Sequence, residues 1–174
     1  MSDLTQAKKL IKECQETQNS YLYLGGCGIT DLNELPELLE CSHLESLDLF
    51  DNQISDISFL SNLTQLQELD LSNNQISNIS CLSGLTRLKT LDLRHNKIKE
   101  VPKFIFELDL EIDLDCDCYM DEGLFLDDNP IESPPIKVIE NGSFYVILHF
   151  FIEEEIRPKA EYLENDSERQ SNAL

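Results

Sequence analysis

The sequence predicts an α/β chain folded as an open, right-handed solenoid. A parallel β-sheet would line its concave face, short 3₁₀ or helical segments its convex side, and a helix would close each end. Three observations predict this. Leucine fills 29 of 174 positions. Leu44, Leu66, Leu88 and Leu110 follow one another at intervals of 22 residues. Within each interval the apolar spacing changes from Leu-x-Leu alternation to steps of three. Alternation makes a strand with one apolar face, and steps of three suit a tight turn or 3₁₀ segment returning along the other side. One such coil cannot bury its own leucines, so the coils must stack around a shared core.

The elements follow in chain order, within a single domain over 1–155. Residues 3–18 read as an N-terminal capping helix. Asp3 and Gln6 form a capping box, and Leu4, Ala7, Leu10, Ile11 and Cys14 share one helical face, with Lys8, Lys9 and Lys12 mostly opposite. An amphipathic helix of this kind could instead bind a partner. Repeats then occupy 19–131. An imperfect first copy has Leu22, Leu24, Cys27, Ile29 and Leu32; a registered copy has Leu47, Leu49, Asn52, Ile54, Ile57, Leu60 and Leu63. Two more copies run from Leu69 to Leu85 and from Leu91 to Leu108, and a degenerate one closes the array with Leu124, Leu126, Asn129 and Ile131. Asn52, Asn74, Asn96 and Asn129 recur at one slot, and a buried ladder of amides there would satisfy backbone groups where strand becomes loop.

Residues 111–118 alternate strictly, with Ile112, Leu114, Cys116 and Cys118 on one face and Asp113, Asp115 and Asp117 on the other. With a turn ending at Gly123, this predicts a β-hairpin inserted over 109–123 that widens the sheet. A C-terminal cap follows over 132–155. Pro134 and Pro135 start a short helix over 135–140 that ends near Gly142. Ser143 caps a second helix through about Glu155, whose Val146, Ile147, Phe150 and Phe151 seal the core. The acidic, polar tail 156–174 is expected to be disordered.

The pattern L-x-x-L-x-L-x-x-N at this period resembles the leucine-rich repeat. Residues 44–108 are most similar to the internalin and phosphatase-regulator types, through Asn52-Gln53-Ile54-Ser55-Asp56-Ile57 and Asn74-Gln75-Ile76-Ser77-Asn78-Ile79. The segment 124–151 resembles the end of the repeat domain in Roco-type proteins and related bacterial repeat proteins. In multidomain members of that group a GTPase domain follows. The resemblance implies the fold; the matching residues are the buried ones, so it says little about a ligand.

Charge narrows the partners. Asp plus Glu total 34 against 13 Lys plus Arg, a net charge of −21. Nucleic acid and anionic membrane both need a basic surface, which this chain lacks. A protein or peptide with a basic or polar surface is the better match. The polar N-terminus lacks the apolar run of a signal peptide, and no stretch approaches the roughly 20 apolar residues of a membrane span. The expected location is cytoplasmic, with all six cysteines reduced. A monomer is favoured.

No cofactor, metal or catalytic centre emerges. Gly25-Gly26-Cys27-Gly28 lacks the Lys-Ser/Thr of a phosphate-binding loop. The run 109–128 holds nine carboxylates, and Asp113, Asp115 and Asp117 begin like a calcium loop, yet Cys118 and Leu124 fall where the turn glycine and bidentate Glu belong. Cys116 and Cys118 have no second Cys/His pair for zinc. His43, His95 and His149 are scattered, and no nucleophile–base arrangement can be assembled from spacing.

The concave face remains. Positions between the paired leucines give Tyr23, Asp48, Asp70, Asp92 and Phe125; those just before give Tyr21, Ser46, Glu68, Thr90 and Gly123. Two further columns give Gly25, Phe50, Ser72, Arg94, Asp127 and Gly26, Asp51, Asn73, His95, Asp128. Tyr21, Tyr23, Asp48, Phe50, Asp70, Asp92, Arg94, His95 and Phe125 are therefore candidate contacts for a protein partner, aromatic at the ends and acidic in the middle. Asp between paired leucines is also ordinary in such repeats, so a purely structural column is the alternative. The functional expectation is a non-catalytic protein-interaction module, with a regulatory arm acting in trans on a GTPase or effector as the second reading.

Overall fold

Leu-x-Leu alternation and steps of three become strands and 3₁₀ turns in the computed structural model, which describes residues 4–108, 110, 112–113 and 123–140. The chain divides into two compact units, 1–131 and 132–174. The expected strand over 111–118 is described only at 112–113. The second cap helix over 143–155 and the tail 156–174 lie outside the described residues.

The first unit opens with helix α1 (Thr5–Thr17), which buries Ala7, Ile11 and Cys14. Its N-cap is Leu4 with no side-chain cap bond, so the helix starts later than the expected Asp3–Gln6 capping box, and Asp3 is outside the described residues. The helix ends on Gln18 in the left-handed region, φ 55°. Two side chains serve the last-turn carbonyls: Thr17 Oγ1 donates to Glu13 at 2.8 Å and Gln18 Nε2 to Gln15 at 2.8 Å.

Among the described residues six strands form one all-parallel sheet: β1 (Tyr21–Tyr23), β2 (Ser46–Asp48), β3 (Glu68–Asp70), β4 (Thr90–Asp92), β5 (Ile112–Asp113) and β6 (Gly123–Phe125), in the order β1-β2-β3-β4-β6-β5. Register is strict. Leu22, Leu47, Leu69, Leu91 and Leu124 pair in one row and are at most 3% exposed. The return path runs through 3₁₀ segments Leu32–Glu34, Pro36–Glu40, Ser58–Asn62, Ser80–Gly84 and Lys103–Glu107, which bury Leu32, Leu38, Leu60, Leu82 and Ile105. Three approaches share a signal: Asp31, Asp56 and Asn78 each accept the backbone N–H two residues on, at 2.8, 2.8 and 2.9 Å.

The hairpin reading is corrected. β5 and β6 pair in parallel, Ile112 opposite Leu124, with β5 at the sheet edge and β6 directly on β4. The reason lies in β6. In the turn that follows it, Asn129 sends Nδ2 to the Leu93 carbonyl at 2.7 Å and accepts the Ile98 N–H at 3.0 Å, which requires β6 to stack on β4 as the next coil. The steps between strands show where the extra chain went. Leu22 to Leu47 is 25 residues, the next two steps are 22, and Leu91 to Leu124 is 33.

An amide ladder joins the coils. Asn74 is typical: Oδ1 accepts the Ile54 N–H at 3.0 Å, and Nδ2 lies 3.0–3.1 Å from the carbonyls of Leu49, Leu71 and Ser72. Asn52 makes the same bonds to Ile29, Leu24, Leu49 and Phe50, and Asn96 to Ile76, Leu71, Leu93 and Arg94. Each amide serves the coil before its own. The first coil has no earlier coil to serve, which explains why its slot can hold Cys27. Backbone bonds add two more stacking rows. Gln53, Gln75 and Lys97 N–H groups reach Ile29, Ile54 and Ile76 carbonyls, and Leu49, Leu71 and Leu93 reach Asp70, Asp92 and Phe125, all at 2.8–2.9 Å.

In the second unit, α2 (Ile136–Glu140) follows Pro135, whose carbonyl accepts the Val138 N–H at 2.7 Å. This is the short helix expected over 135–140.

Candidate functional site

Alternation turns the residues flanking the buried leucine row to the opposite face of the sheet. The register places Tyr21, Ser46, Glu68, Thr90 and Gly123 in one row and Tyr23, Asp48, Asp70, Asp92 and Phe125 in the other. The face divides into two different halves.

The β1–β3 half is open. Tyr21, Tyr23 and Phe50 are 47%, 48% and 38% exposed, the large aromatics that the described surface leaves to solvent. Gly25 makes room for one of them, since a Cβ there would sit 2.8 Å from the Tyr23 ring and hydroxyl. An open groove of about 590 Å³ adjoins the tyrosines, lined also by Leu10, Glu13, Thr17 and Asn19 of α1 and the turn that follows it. Ser46 donates to Glu68 at 2.9 Å. Burial raises the Asp48 and Asp70 carboxyls above their ordinary range, and repulsion from Asp92 adds to it. Burial and the surrounding acids Asp48, Asp70 and Glu68, with Tyr23, also push the Tyr21 phenol up.

The β4–β6 half is closed on itself, which corrects the expectation that Asp92 and Phe125 face solvent. Both are buried, at 6% and 8% exposure. Arg94 causes this. Its Nε lies 3.0 Å from both Asp92 oxygens, and its guanidinium carbon stands 5.3 Å over the Phe125 ring. The paired carboxylate in turn raises the Arg94 pKa. His95 Nδ1 lies 3.2 Å from Asp128 at the rim.

Two structural roles on this face were missed in the sequence. Asp48, Asp70 and Asp92 each accept the backbone N–H two residues on, from Phe50, Ser72 and Arg94, at 3.0, 2.8 and 3.0 Å. Part of each carboxylate is thus committed to an Asx turn at the strand exit. The signal was an acid at the same slot of three copies. The column Gly26, Asp51, Asn73, His95 and Asp128 is a row of left-handed residues, φ 52–66°. Gly, Asn, Asp and His are the types that tolerate this conformation, so His95 holds its place through backbone geometry as well.

Cys14 and Cys41 are buried neighbours, and burial with Cys14 alongside pushes the Cys41 thiol up to about 12, far from thiolate chemistry at neutral pH. Among the described residues no group of three or more His, Cys, Asp or Glu side chains is placed to hold a metal ion. Among them, too, no helix is long and apolar enough to cross a membrane.

Residues 20–62 and 64–105 match the family model described as leucine-rich repeats in two copies, and the match does not extend over 124–151. A comparison with curated proteins finds no match. Among solved structures the chain is similar to an internalin from Listeria monocytogenes, with 31% identity and a TM-score of 0.52 over 68% of this chain and 30% of that one. It also aligns with the functional domain of InlJ from Listeria monocytogenes, at 26% identity and a TM-score of 0.42 over 48% of this chain and 17% of that one. A third similarity is to the ectodomain of the receptor kinase SOBIR1 from Arabidopsis thaliana, at 29% identity and a TM-score of 0.41 over 55% and 49%. The chain spans less than half of each of these proteins.

Proposed function

We propose, from the premise that this chain is a leucine-rich-repeat protein, that it is a non-catalytic interaction module whose protein or peptide partner lies across the open face of β1–β3. Leucine-rich-repeat domains generally mediate protein–protein contacts, and the rows of this sheet present side chains at a fixed spacing of about 4.8 Å per strand. The observation that carries the reading is the exposure of Tyr21, Tyr23 and Phe50 together on that face. Aromatic side chains left in water together on one sheet face are the anchors that interfaces favour.

The test uses binders selected from a random dodecapeptide library. A Tyr23→Ala/Phe50→Ala double variant should weaken them about tenfold or more, the cost of roughly 1.4 kcal/mol or greater for a lost anchor. Leu39→Ala should leave them unchanged, because Leu39 is equally exposed, at 39%, on the 3₁₀ return path. Equal effects of the two variants would move the site off the sheet.

A further inference from the structure

Asp48 stands in surroundings like those of Asp92, with one component missing. At Asp92 the chain supplies its own cation. Arg94, two residues on, clasps the carboxylate and stacks on Phe125, which is in register with Asp92 on the neighbouring strand. At Asp48 the register neighbour on β1 is again aromatic, Tyr23, and the residue two on is Phe50 in place of an arginine. Asp70 follows in register on β3. Among the described residues no ion pair forms at Asp48 or Asp70. The Tyr23 ring lies against Gly25, the position level with Phe50, so two exposed aromatics stand on the strands that carry Asp48 and its register neighbour.

We propose that this part of the sheet face receives an arginine side chain from an extended segment of the partner, its guanidinium on Asp48 with Asp70 beside it and its plane on Tyr23 or Phe50. The inference rests on the sheet-face reading above and names the chemistry that face selects. Arginine fits better than lysine, because its planar fork bonds a carboxylate and stacks on a ring at once, as Arg94 does here. The charge agrees: a net −21 chain attracts a basic segment. An arriving cation would also offset the cost that burial and repulsion from Asp92 place on the charged forms of Asp48 and Asp70.

Peptides panned from a random dodecapeptide library on the wild-type protein should share an arginine. Replacing it with citrulline, which keeps the shape and removes the charge, should weaken binding about tenfold or more. Asp48→Asn keeps an acceptor for the Phe50 N–H and should weaken binding by a similar factor, with no further loss when both changes are combined. Phe50→Arg, which places a cation where Arg94 stands relative to Asp92, should exclude the peptide while the melting temperature holds. Citrulline peptides that bind as well, or indifference to Asp48→Asn, would overturn the arginine site. If such binders still failed on the Tyr23→Ala/Phe50→Ala protein, the sheet-face reading would stand. A library yielding no binder that depends on this face would overturn both.

Discussion

Asn74→Ala removes four hydrogen bonds, and the structure shows which of them matter. The Leu49 carbonyl keeps Asn52 Nδ2 at 2.9 Å, the Leu71 carbonyl keeps Asn96 Nδ2 at 2.9 Å, and the Ser72 carbonyl keeps the Asp51 N–H at 3.1 Å. The Ile54 N–H, on a residue with no exposed surface, loses its acceptor. An orphaned buried donor costs about 1–3 kcal/mol, and the weakened carbonyls add roughly another 0.5–1 kcal/mol. A net loss of about 1.5–4 kcal/mol should lower the melting temperature by about 3–16 °C in a chain of this size. Urea unfolding, with hydrogen exchange at the Ile54 amide, measures both the size and the place of the effect. Asn78→Ala serves as the contrast, since Asn78 caps Ser80 at an exposed site and should cost about 1 kcal/mol or less. A change under about 0.5 kcal/mol at Asn74, or unaltered exchange at Ile54, would refute the argument that the amide is needed for backbone satisfaction.

Two further outcomes follow from the sheet face. Asn73 sits at φ 54°, so Asn73→Val should destabilise by about 1–2 kcal/mol whereas Asn73→Gly should be nearly neutral; equal melting of the two would contradict the left-handed row. Burial raises the Asp70 carboxyl pKa, so folding favours its protonated form; its charge costs stability above the folded pKa, and the cost fades as pH falls through it. Asp70→Asn, which retains an acceptor for the Ser72 N–H, should therefore melt as high or higher than wild type near pH 7, with the advantage shrinking toward about pH 4. A drop at neutral pH would show that the Ser72 bonds outweigh the burial.

The coils were legible because burial repeats. Leu47, Leu69 and Leu91 answer the same demand in successive turns, and so do Asn52, Asn74 and Asn96; periodic physics leaves periodic sequence. The position of β6 was legible for the same reason, through Leu124, Leu126 and Asn129. The placement of β5 was not. Alternation in 111–118 identifies a strand but carries no information on which neighbour it pairs with or in which direction. On the sheet face, Tyr21, Tyr23 and Phe50 could be placed from alternation alone. The burial of Asp92 could not, because it depends on one side chain, Arg94, folding back across the strand onto Phe125. Sequence columns show which residues share a row, and they do not show which of them bond along the chain instead of across it. The Asx turns at Asp48, Asp70 and Asp92 were hidden in the same way, since an acid at a regular exposed slot looks alike whether it waits for a ligand or caps its own backbone.

The amide ladder points in one direction, and this makes the two ends of the stack unequal. Asn129 supplies the acceptor for the Ile98 N–H and a donor for the Leu93 carbonyl, groups that lie in the preceding turn. Trimming the array from its last turn therefore uncovers polar backbone inside the piece that is left. Trimming from the first turn frees the Asn52 side chain and also the N–H groups of Glu45, Ser46 and Gln53, which lose the Ser20 and Ile29 carbonyls. Both cuts leave backbone N–H groups unmet, but only the distal one also strips a side-chain acceptor, Asn129 Oδ1, from a donor inside the remaining stack.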